Sequence, residues 1–89
     1  MAGHAHTKQI ASRLARAAGH LTAVKRMVEE ERSCPEVLIQ IAAVRSALDA
    51  TARLLLADHL EHCVLASVQD GDVEKHLAEL RQALDRFIA

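Results

Sequence analysis

Apolar residues in the first third of the chain repeat at helical spacing. Between residues 7 and 31 they recur every three or four positions, which gathers them into one stripe of an amphipathic helix. The pattern predicts a first helix over about residues 7–31, with one face packed and the other facing solvent. The members of the stripe are Ile10, Leu14, Ala17, Leu21, Val24 and Val28.

The central segment is apolar on nearly every face. Neither glycine nor proline occurs between Pro35 and Gly71, and Ser33-Cys34-Pro35-Glu36 has the form of a capping box with proline in the first turn. These signals predict a second, long helix over about residues 34–67. A helix that is apolar nearly all round must be buried on several sides, and three helices of one chain cannot supply that cover. We therefore expect self-association through this helix.

A turn and a third helix follow. Asp70-Gly71-Asp72 predicts the turn, because glycine ends helices readily and aspartate caps the next one. A helix over about residues 72–88 completes an all-α subunit of three helices. Residues 1–6 are expected to be a flexible N-terminal tail, and residues 7–89 a single helical domain. A domain of this size buries only about 60% of its unfolded surface, which again favours association.

Composition excludes several classes of protein. Aromatic residues make up only 1% of the 89-residue chain, which argues against nucleic-acid modules that stack bases. Two cysteines are too few for a secreted disulfide scaffold. No apolar run reaches the roughly 18 residues of a membrane span. Because the N-terminus also lacks the apolar run of a signal peptide, we expect a cytoplasmic protein. No phosphate loop, catalytic triad or metalloprotease motif is present, so we do not expect an enzyme.

Two cysteines and a histidine form the most informative set of side chains. Cys34 precedes His59 by 25 residues and Cys63 by 29 residues, so all three fall on one stripe of the second helix. Along a straight helix, however, Cys34 lies roughly 37 Å from His59. Two antiparallel copies of the helix would bring the three together. The spacing therefore predicts a symmetric dimer with two identical sites, each shared by both subunits.

The donor atoms of this set suit a soft metal ion. Thiolates select Cu(I), and three ligands can complete its coordination shell. Structural zinc would need a fourth ligand, such as His62. Two other interpretations stay open at this point: Cys34 and Cys63 as a redox-sensitive thiol pair between subunits, or both cysteines as small core residues of a structural oligomer.

The net charge of −1 hides an uneven distribution. Residues 1–28 carry five basic residues and no acid, whereas residues 49–89 carry eight acids against four bases. On the first helix, a basic polar strip runs beside the apolar stripe, and a strip of this kind is either a solvated face or a surface that binds phosphates. The candidate DNA contacts are Lys8, Gln9, Arg13 and Arg16, with His20 on the same strip and Arg45 on the second helix.

Three stretches of the chain together resemble the copper-sensitive operon repressor family: GHLTAVKRMVEEERSC, CPEVLIQIAAVRSALDA and DHLEHCV. This family also includes nickel/cobalt, persulfide and formaldehyde sensors, and the resemblance covers about residues 7–88. It implies an antiparallel dimer, a tetramer built as a dimer of dimers, and a repressor whose operator affinity falls when its effector binds. In such a protein, Cys34 of one subunit and His59 and Cys63 of the other bind Cu(I), and basic residues of the first helix contact operator DNA.

Single positions separate the branches of this family. Copper sensors often carry a tyrosine where this chain has Ser33, and that position, with Glu79, belongs to the shell that links the bound histidine to the allosteric change. Nickel and cobalt sensors use an N-terminal histidine ligand, for which His4 and His6 are the nearby candidates. Formaldehyde sensors have an acid at the position of Cys63, and persulfide sensors lack the histidine.

The Cys-His-Cys set therefore favours a Cu(I)-responsive repressor, with a Ni(II)- or Co(II)-responsive repressor as the alternative. The partners expected from the resemblance are operator DNA and further copies of the same chain. A copper chaperone is a further candidate partner, and no membrane is expected.

Overall fold

A computed structural model of the chain describes residues 6–88, with the side chains of residues 63–67 and 70 left out. Within this range no strand occurs, so the prediction of an all-α subunit with a long central helix is confirmed. None of the described helices is long and apolar enough to cross a membrane. The three helices are α1 (Thr7–Glu29), α2 (Cys34–Asp70) and α3 (Val73–Ile88).

The end of α1 comes two residues earlier than the apolar pattern predicts. Glu31 adopts a left-handed conformation with φ 57°, and its N–H donates to the Val28 carbonyl at 3.0 Å. The Arg32 N–H donates to the Met27 carbonyl, also at 3.0 Å. This pair of hydrogen bonds is the Schellman motif that closes a helix. The chain thereby reverses direction within four residues, 30–33, before α2 begins.

The start of α2 carries the predicted cap, but only one of the two hydrogen bonds of a capping box is formed. The Glu36 N–H donates to Ser33 Oγ at 3.4 Å, whereas the Glu36 carboxylate accepts hydrogen bonds from Arg32 instead of returning to the cap. The cap makes Cys34 the first residue of α2.

The turn between α2 and α3 follows the predicted sequence with shifted boundaries. α2 continues three residues beyond its predicted end, to Asp70, because Gly71 (φ 73°) is the residue that leaves the helical conformation. Asp72 precedes α3 and caps it: the Lys75 N–H donates to Asp72 Oδ1 at 3.1 Å. α3 therefore begins at Val73, one residue later than predicted.

α1 folds back on α2 as an antiparallel hairpin with a narrow seam. The buried residues lie seven positions apart on both helices, a spacing that keeps one line of side chains facing a neighbouring helix. Two of the α2 members, a threonine and an aspartate, are polar. The seam consists of Ile10, Ala17 and Val24 from α1 and Val44, Thr51 and Asp58 from α2.

Much apolar surface stays exposed in a single chain. Only alternate members of the predicted α1 stripe are buried in the seam, and α3 has no buried residue among those described. The molecule measures 55 × 27 × 15 Å, too thin to enclose a second layer of side chains. Association into a dimer and tetramer remains a prediction, and these exposed faces are the surfaces it requires. The large exposed residues on them include Leu14, Leu21, Val28, Leu38, Ile39, Ile41, Leu48 and Leu55.

Candidate metal and nucleic-acid sites

Cys34 stands at the N-terminus of α2. Its thiol is free and exposed to solvent, and the cap at Ser33 fixes the backbone from which it projects. Ser33 itself is exposed, and its hydroxyl caps α2.

His59 lies in the second half of α2, where that helix faces α3. Its side chain is half-buried and lines a groove of about 610 Å³ between the two helices. Glu79 of α3 lines the same groove. The tertiary structure therefore brings together the histidine and the acid that the family resemblance couples. Arg53 is the remaining charged residue of the groove lining, and the other lining residues are Ala52, Leu55, Leu56, Leu80, Ala83, Leu84, Phe87 and Ile88.

The three metal-ligand candidates do not meet within one chain. α2 is a continuous helix over Cys34–Asp70, so Cys34 and His59 are separated by roughly 37 Å at the usual rise per residue. Cys63 lies on the same helix one turn beyond His59, and its side chain is among those left out. Across the described side chains, no group of three or more His, Cys, Asp or Glu residues is arranged to hold a metal ion. The predicted ligands of each chain are thus in two separate places, with Cys34 at the start of α2 and His59 and Cys63 in its second half.

Two of the other histidine candidates, His62 and His6, lie toward the same end of the hairpin as His59. His62 is half-buried on α2. His6 forms the turn before α1, and its carbonyl accepts a hydrogen bond from the Ile10 N–H at 2.8 Å. Because α1 runs antiparallel to α2, its first turn lies beside the second half of α2. His4 falls outside the described residues.

A basic pocket lies between α1 and α2. It has a volume of about 210 Å³ and is lined by Arg13, Arg16 and His20 together with small side chains of both helices. Three members of the predicted basic strip therefore converge on one cavity. The other candidate DNA contacts, Lys8, Gln9 and Arg45, are exposed and lie outside the lining of this pocket.

Sequence reasoning missed three polar residues where α1 packs against α2: Gln40, Thr51 and Asp58. His20 Nε2 lies 2.7 Å from Gln40 Oε1, a contact between residues 20 positions apart that no periodic pattern indicates. Thr51 and Asp58 are 4% and 3% exposed. They lie seven and fourteen residues after Val44, which was a usable signal, because polar residues in a heptad line of an otherwise apolar helix stand out.

Comparison with known proteins places these features in a family. Residues 6–86 match the family model of the metal-sensitive transcriptional repressors. The chain is 41% identical over 92 residues to the copper-sensing transcriptional repressor RicR of Mycobacterium tuberculosis, covering 98% of this chain and 96% of that relative.

Two solved structures share the fold along nearly the whole chain. The copper-sensing repressor CsoR with Cu(I), from Geobacillus thermodenitrificans, superposes with a TM-score of 0.88 at 32% identity and covers 100% of this chain and 93% of that one. The nickel-responsive transcriptional regulator InrS superposes with a TM-score of 0.78 at 50% identity and covers 96% of both chains. With a match over 81 of its 89 residues and this agreement of fold, the chain belongs to the metal-sensitive transcriptional repressor family.

Proposed function

We propose that this protein is a Cu(I)-responsive transcriptional repressor, which binds operator DNA in the metal-free form and is released when Cu(I) binds between two subunits. One observation carries the proposal: two thiol residues and an imidazole lie on a single unbroken helix, α2, with the first cysteine about seven turns from the other two residues. A helix with this arrangement needs an antiparallel partner to complete a site. As a repressor of DNA transcription, the protein would act in the cytoplasm.

The residues present fit a soft monovalent ion. Two thiolates and one imidazole match the preference of Cu(I) for sulfur ligands and low coordination numbers, and the Cys34 thiol is free and exposed. In the proposed site, Cys34 of one subunit would bind the ion together with His59 and Cys63 of the other. A copper chaperone that delivers the ion stays a prediction, on which no described feature bears.

The groove between α2 and α3 would link the metal site to the surroundings of α3. His59 lines this groove with Glu79, so a change in the contacts of the imidazole alters the surroundings of α3. The basic pocket lies on a different face of α2, against α1. Metal and operator would thus bind to different faces of one helix, with a reciprocal coupling of typically about 1–3 kcal/mol.

A subunit-mixing experiment tests the shared site. Cys34→Ala and His59→Ala are prepared separately, and each homodimer is expected to lose Cu(I) binding, because each lacks one ligand in both of its sites. A mixed dimer of the two variants regains one complete site, formed by Cys34 of one chain and His59 and Cys63 of the other. Cu(I) titration in competition with a chelator should therefore recover one ion per mixed dimer. Recovery of none would refute a site that is shared in this way.

Operator release is tested separately by fluorescence anisotropy. The wild-type protein should bind its operator without metal and lose about 5- to 150-fold in affinity when loaded with Cu(I). Cys34→Ala should bind the operator as tightly as wild type and ignore Cu(I). If stoichiometric Cu(I) leaves the DNA affinity of the wild type unchanged, the proposed repressor mechanism is wrong.

A Ni(II)-responsive repressor is the second candidate, and two observations favour it. The nickel-responsive regulator InrS is 50% identical to this chain, and His6 begins α1 at the end of the hairpin that also carries His59. Removing residues 2–6 distinguishes the two metals, because it deletes both His4 and His6 and leaves the Cys-His-Cys set intact. A copper sensor should keep its Cu(I) response after the deletion, whereas a nickel sensor should lose its Ni(II) response.

A further inference from the structure

Asp58 is the charged residue that is buried between α1 and α2 in the described part of the chain. It is 3% exposed, and an acidic side chain is almost never buried to this extent unless other groups of the protein compensate it. Asp58 does interact with another group of the protein. The element that it faces therefore has to offer hydrogen-bond donors or positive charge.

The register of the hairpin places Asp58 beside the beginning of α1. Ala17 of α1 and Thr51 of α2 line the same pocket, so these two members of the seam lie close to each other. One heptad further from the turn that joins the helices, the seam continues with Ile10 and Asp58. Because the two helices are antiparallel, Asp58 faces the first turn of α1, residues 7–10.

The first turn of α1 lacks a cap and a negative charge of its own. Within the described residues, the side chain of the N-cap residue His6 makes no capping hydrogen bond, and the first turn contains no acidic residue. The Ile10 N–H donates to the His6 carbonyl, so the N–H groups of residues 7–9 are those that need an acceptor from outside the helix. The beginning of a helix also carries partial positive charge. A carboxylate that reaches it from α2 supplies both an acceptor and a counter-charge.

Asp58 is also the direct neighbour of a predicted metal ligand. It precedes His59, which lines the groove toward α3, whereas Asp58 is buried against α1. Adjacent residues of a helix point about 100° apart and share one rigid backbone. A rotation of α2 that changes the position of His59 therefore also moves Asp58 relative to α1, and packed helix interfaces convert such small shifts into a second discrete arrangement.

We propose that Asp58 caps the first turn of α1 from α2, and that binding of Cu(I) at His59 weakens this cap. The capped turn carries Lys8 and Gln9, two of the candidate DNA contacts, so a weaker cap disorders them and lowers operator affinity. Asp58 is a positioning residue that touches neither the metal nor the DNA. Its link to Cu(I) rests on the proposed repressor function, whereas the cap itself does not.

Amide hydrogen exchange of the metal-free protein tests the cap without DNA. In Asp58→Ala the amides of residues 7–9 should exchange about fivefold faster relative to the amide of Ala17, which is the effect of losing one cap. The comparison with Ala17 separates a local loss of the cap from a general loss of stability. Asp58→Asn should keep the wild-type ratio, because asparagine caps helices as well as aspartate does. Glu61→Ala removes an exposed acid of α2 and should leave the ratio unchanged.

Fluorescence anisotropy with operator DNA tests the link to the metal. Loading of Asp58→Ala with Cu(I) should change its operator affinity by a factor about 2- to 30-fold smaller than the factor in the wild type. Its Cu(I) stoichiometry should stay that of the wild type, because Cys34, His59 and Cys63 are all retained. Asp58→Asn and Glu61→Ala should respond to Cu(I) as the wild type does.

The two measurements distinguish the failure of this proposal from the failure of the proposed function. If the exchange ratio of Asp58→Ala equals that of the wild type, Asp58 is not the cap, and a wild type that still releases its operator with Cu(I) keeps the repressor function. If Asp58→Ala loses the cap but keeps the full response to Cu(I), the link to the metal is wrong. If the cap is lost in Asp58→Ala while wild-type protein does not respond to Cu(I), the cap stands and the proposed function is wrong.

Discussion

The two sides of α2 differ in how far one chain completes them. On the side that faces α1, Val44 and Asp58 are 6% and 3% exposed, and the cavity that remains is a basic pocket of about 210 Å³. On the sides that face α3 and solvent, Leu48 and Leu55 are 43% and 48% exposed, and an apolar groove of about 610 Å³ remains. A single subunit therefore buries the seam between α1 and α2, which we call the finished seam. It leaves the sides of α2 that face α3 and solvent partly exposed, and we call these the unfinished side.

This difference separates the two proposed activities. The pocket residues proposed to contact operator DNA lie along the finished seam, where a single chain sets their geometry. The residues proposed to bind metal lie along the unfinished side, where a second chain has to complete the site. Metal binding would then change how the subunits assemble, because only the unfinished side of α2 needs a second subunit. The variants below act on one of these two sides, or on α1 and the turn that follows it.

Leu48→Glu should have the largest effect, because it acts at the centre of the predicted dimer. Cys34 of one chain meets residues 59–63 of the other only if the symmetry axis passes close to residues 47 and 48, midway between them along α2. Two copies of Leu48 then lie near each other, and a buried, unpaired charge at each costs about 3–5 kcal/mol. Sedimentation velocity should show dissociated chains.

The control for this variant is Gln69→Glu, which adds the same charge at an exposed position of α2 far from the predicted axis. It should leave the assembly intact. An unchanged sedimentation coefficient for Leu48→Glu would show that the central part of α2 is not the dimer interface.

Asp58→Ala should destabilise the finished seam. The side chain is 3% exposed and interacts with another group of the protein, so its removal abolishes an interaction of a nearly buried side chain. We expect a loss of about 1–3 kcal/mol in the free energy of unfolding, measured by chemical denaturation. Asp49→Ala, at an exposed position of the same helix, should change stability by no more than about 0.5 kcal/mol. Equal losses from the two variants would contradict the burial of Asp58.

Gly19→Ala asks whether anything packs against the outer face of α1. A Cβ atom at this position would meet nothing within 4 Å among the described residues, and alanine favours a helix over glycine by about 1 kcal/mol. The variant should therefore raise the midpoint of denaturant unfolding, and Ala18→Gly, at the neighbouring exposed position, should lower it by a similar amount. A loss of stability for Gly19→Ala would reveal a close approach of a second molecule.

Glu31→Gly should have the smallest effect, at the turn that joins the helices of the finished seam. Glu31 holds a left-handed conformation with φ 57°, which glycine adopts without steric cost. Part of the gain is offset by the greater freedom of glycine in the unfolded chain, which leaves about 0.5 kcal/mol of added stability. Glu30→Gly, where φ is −84°, should instead lose a few tenths of a kcal/mol. Differential scanning calorimetry should show a higher unfolding midpoint for Glu31→Gly and a lower one for Glu30→Gly. A lower midpoint for Glu31→Gly would contradict the left-handed conformation of this residue.

Local signals accounted for most of the secondary structure. Ser33 and Asp72 cap the helices that they were predicted to cap, because a capping hydrogen bond involves residues three positions apart and is visible in the sequence. The end of α1 was placed too late, since Glu31 continues the polar pattern of the helix while its backbone has already left the helical conformation. The sequence contains no signal for a left-handed backbone conformation at a residue other than glycine.

The sequence by itself determined the three helices, the basic character of α1 and the separation of Cys34 from His59 along one continuous helix. These follow from spacing and charge, which each segment carries on its own. Only the tertiary structure decided that Arg13, Arg16 and His20 share a pocket with Thr51, that Gln40 holds His20, and that His59 shares a groove with Glu79. Such contacts depend on the register between packed helices, which is set by how their side chains interlock and not by the periodicity of either helix alone.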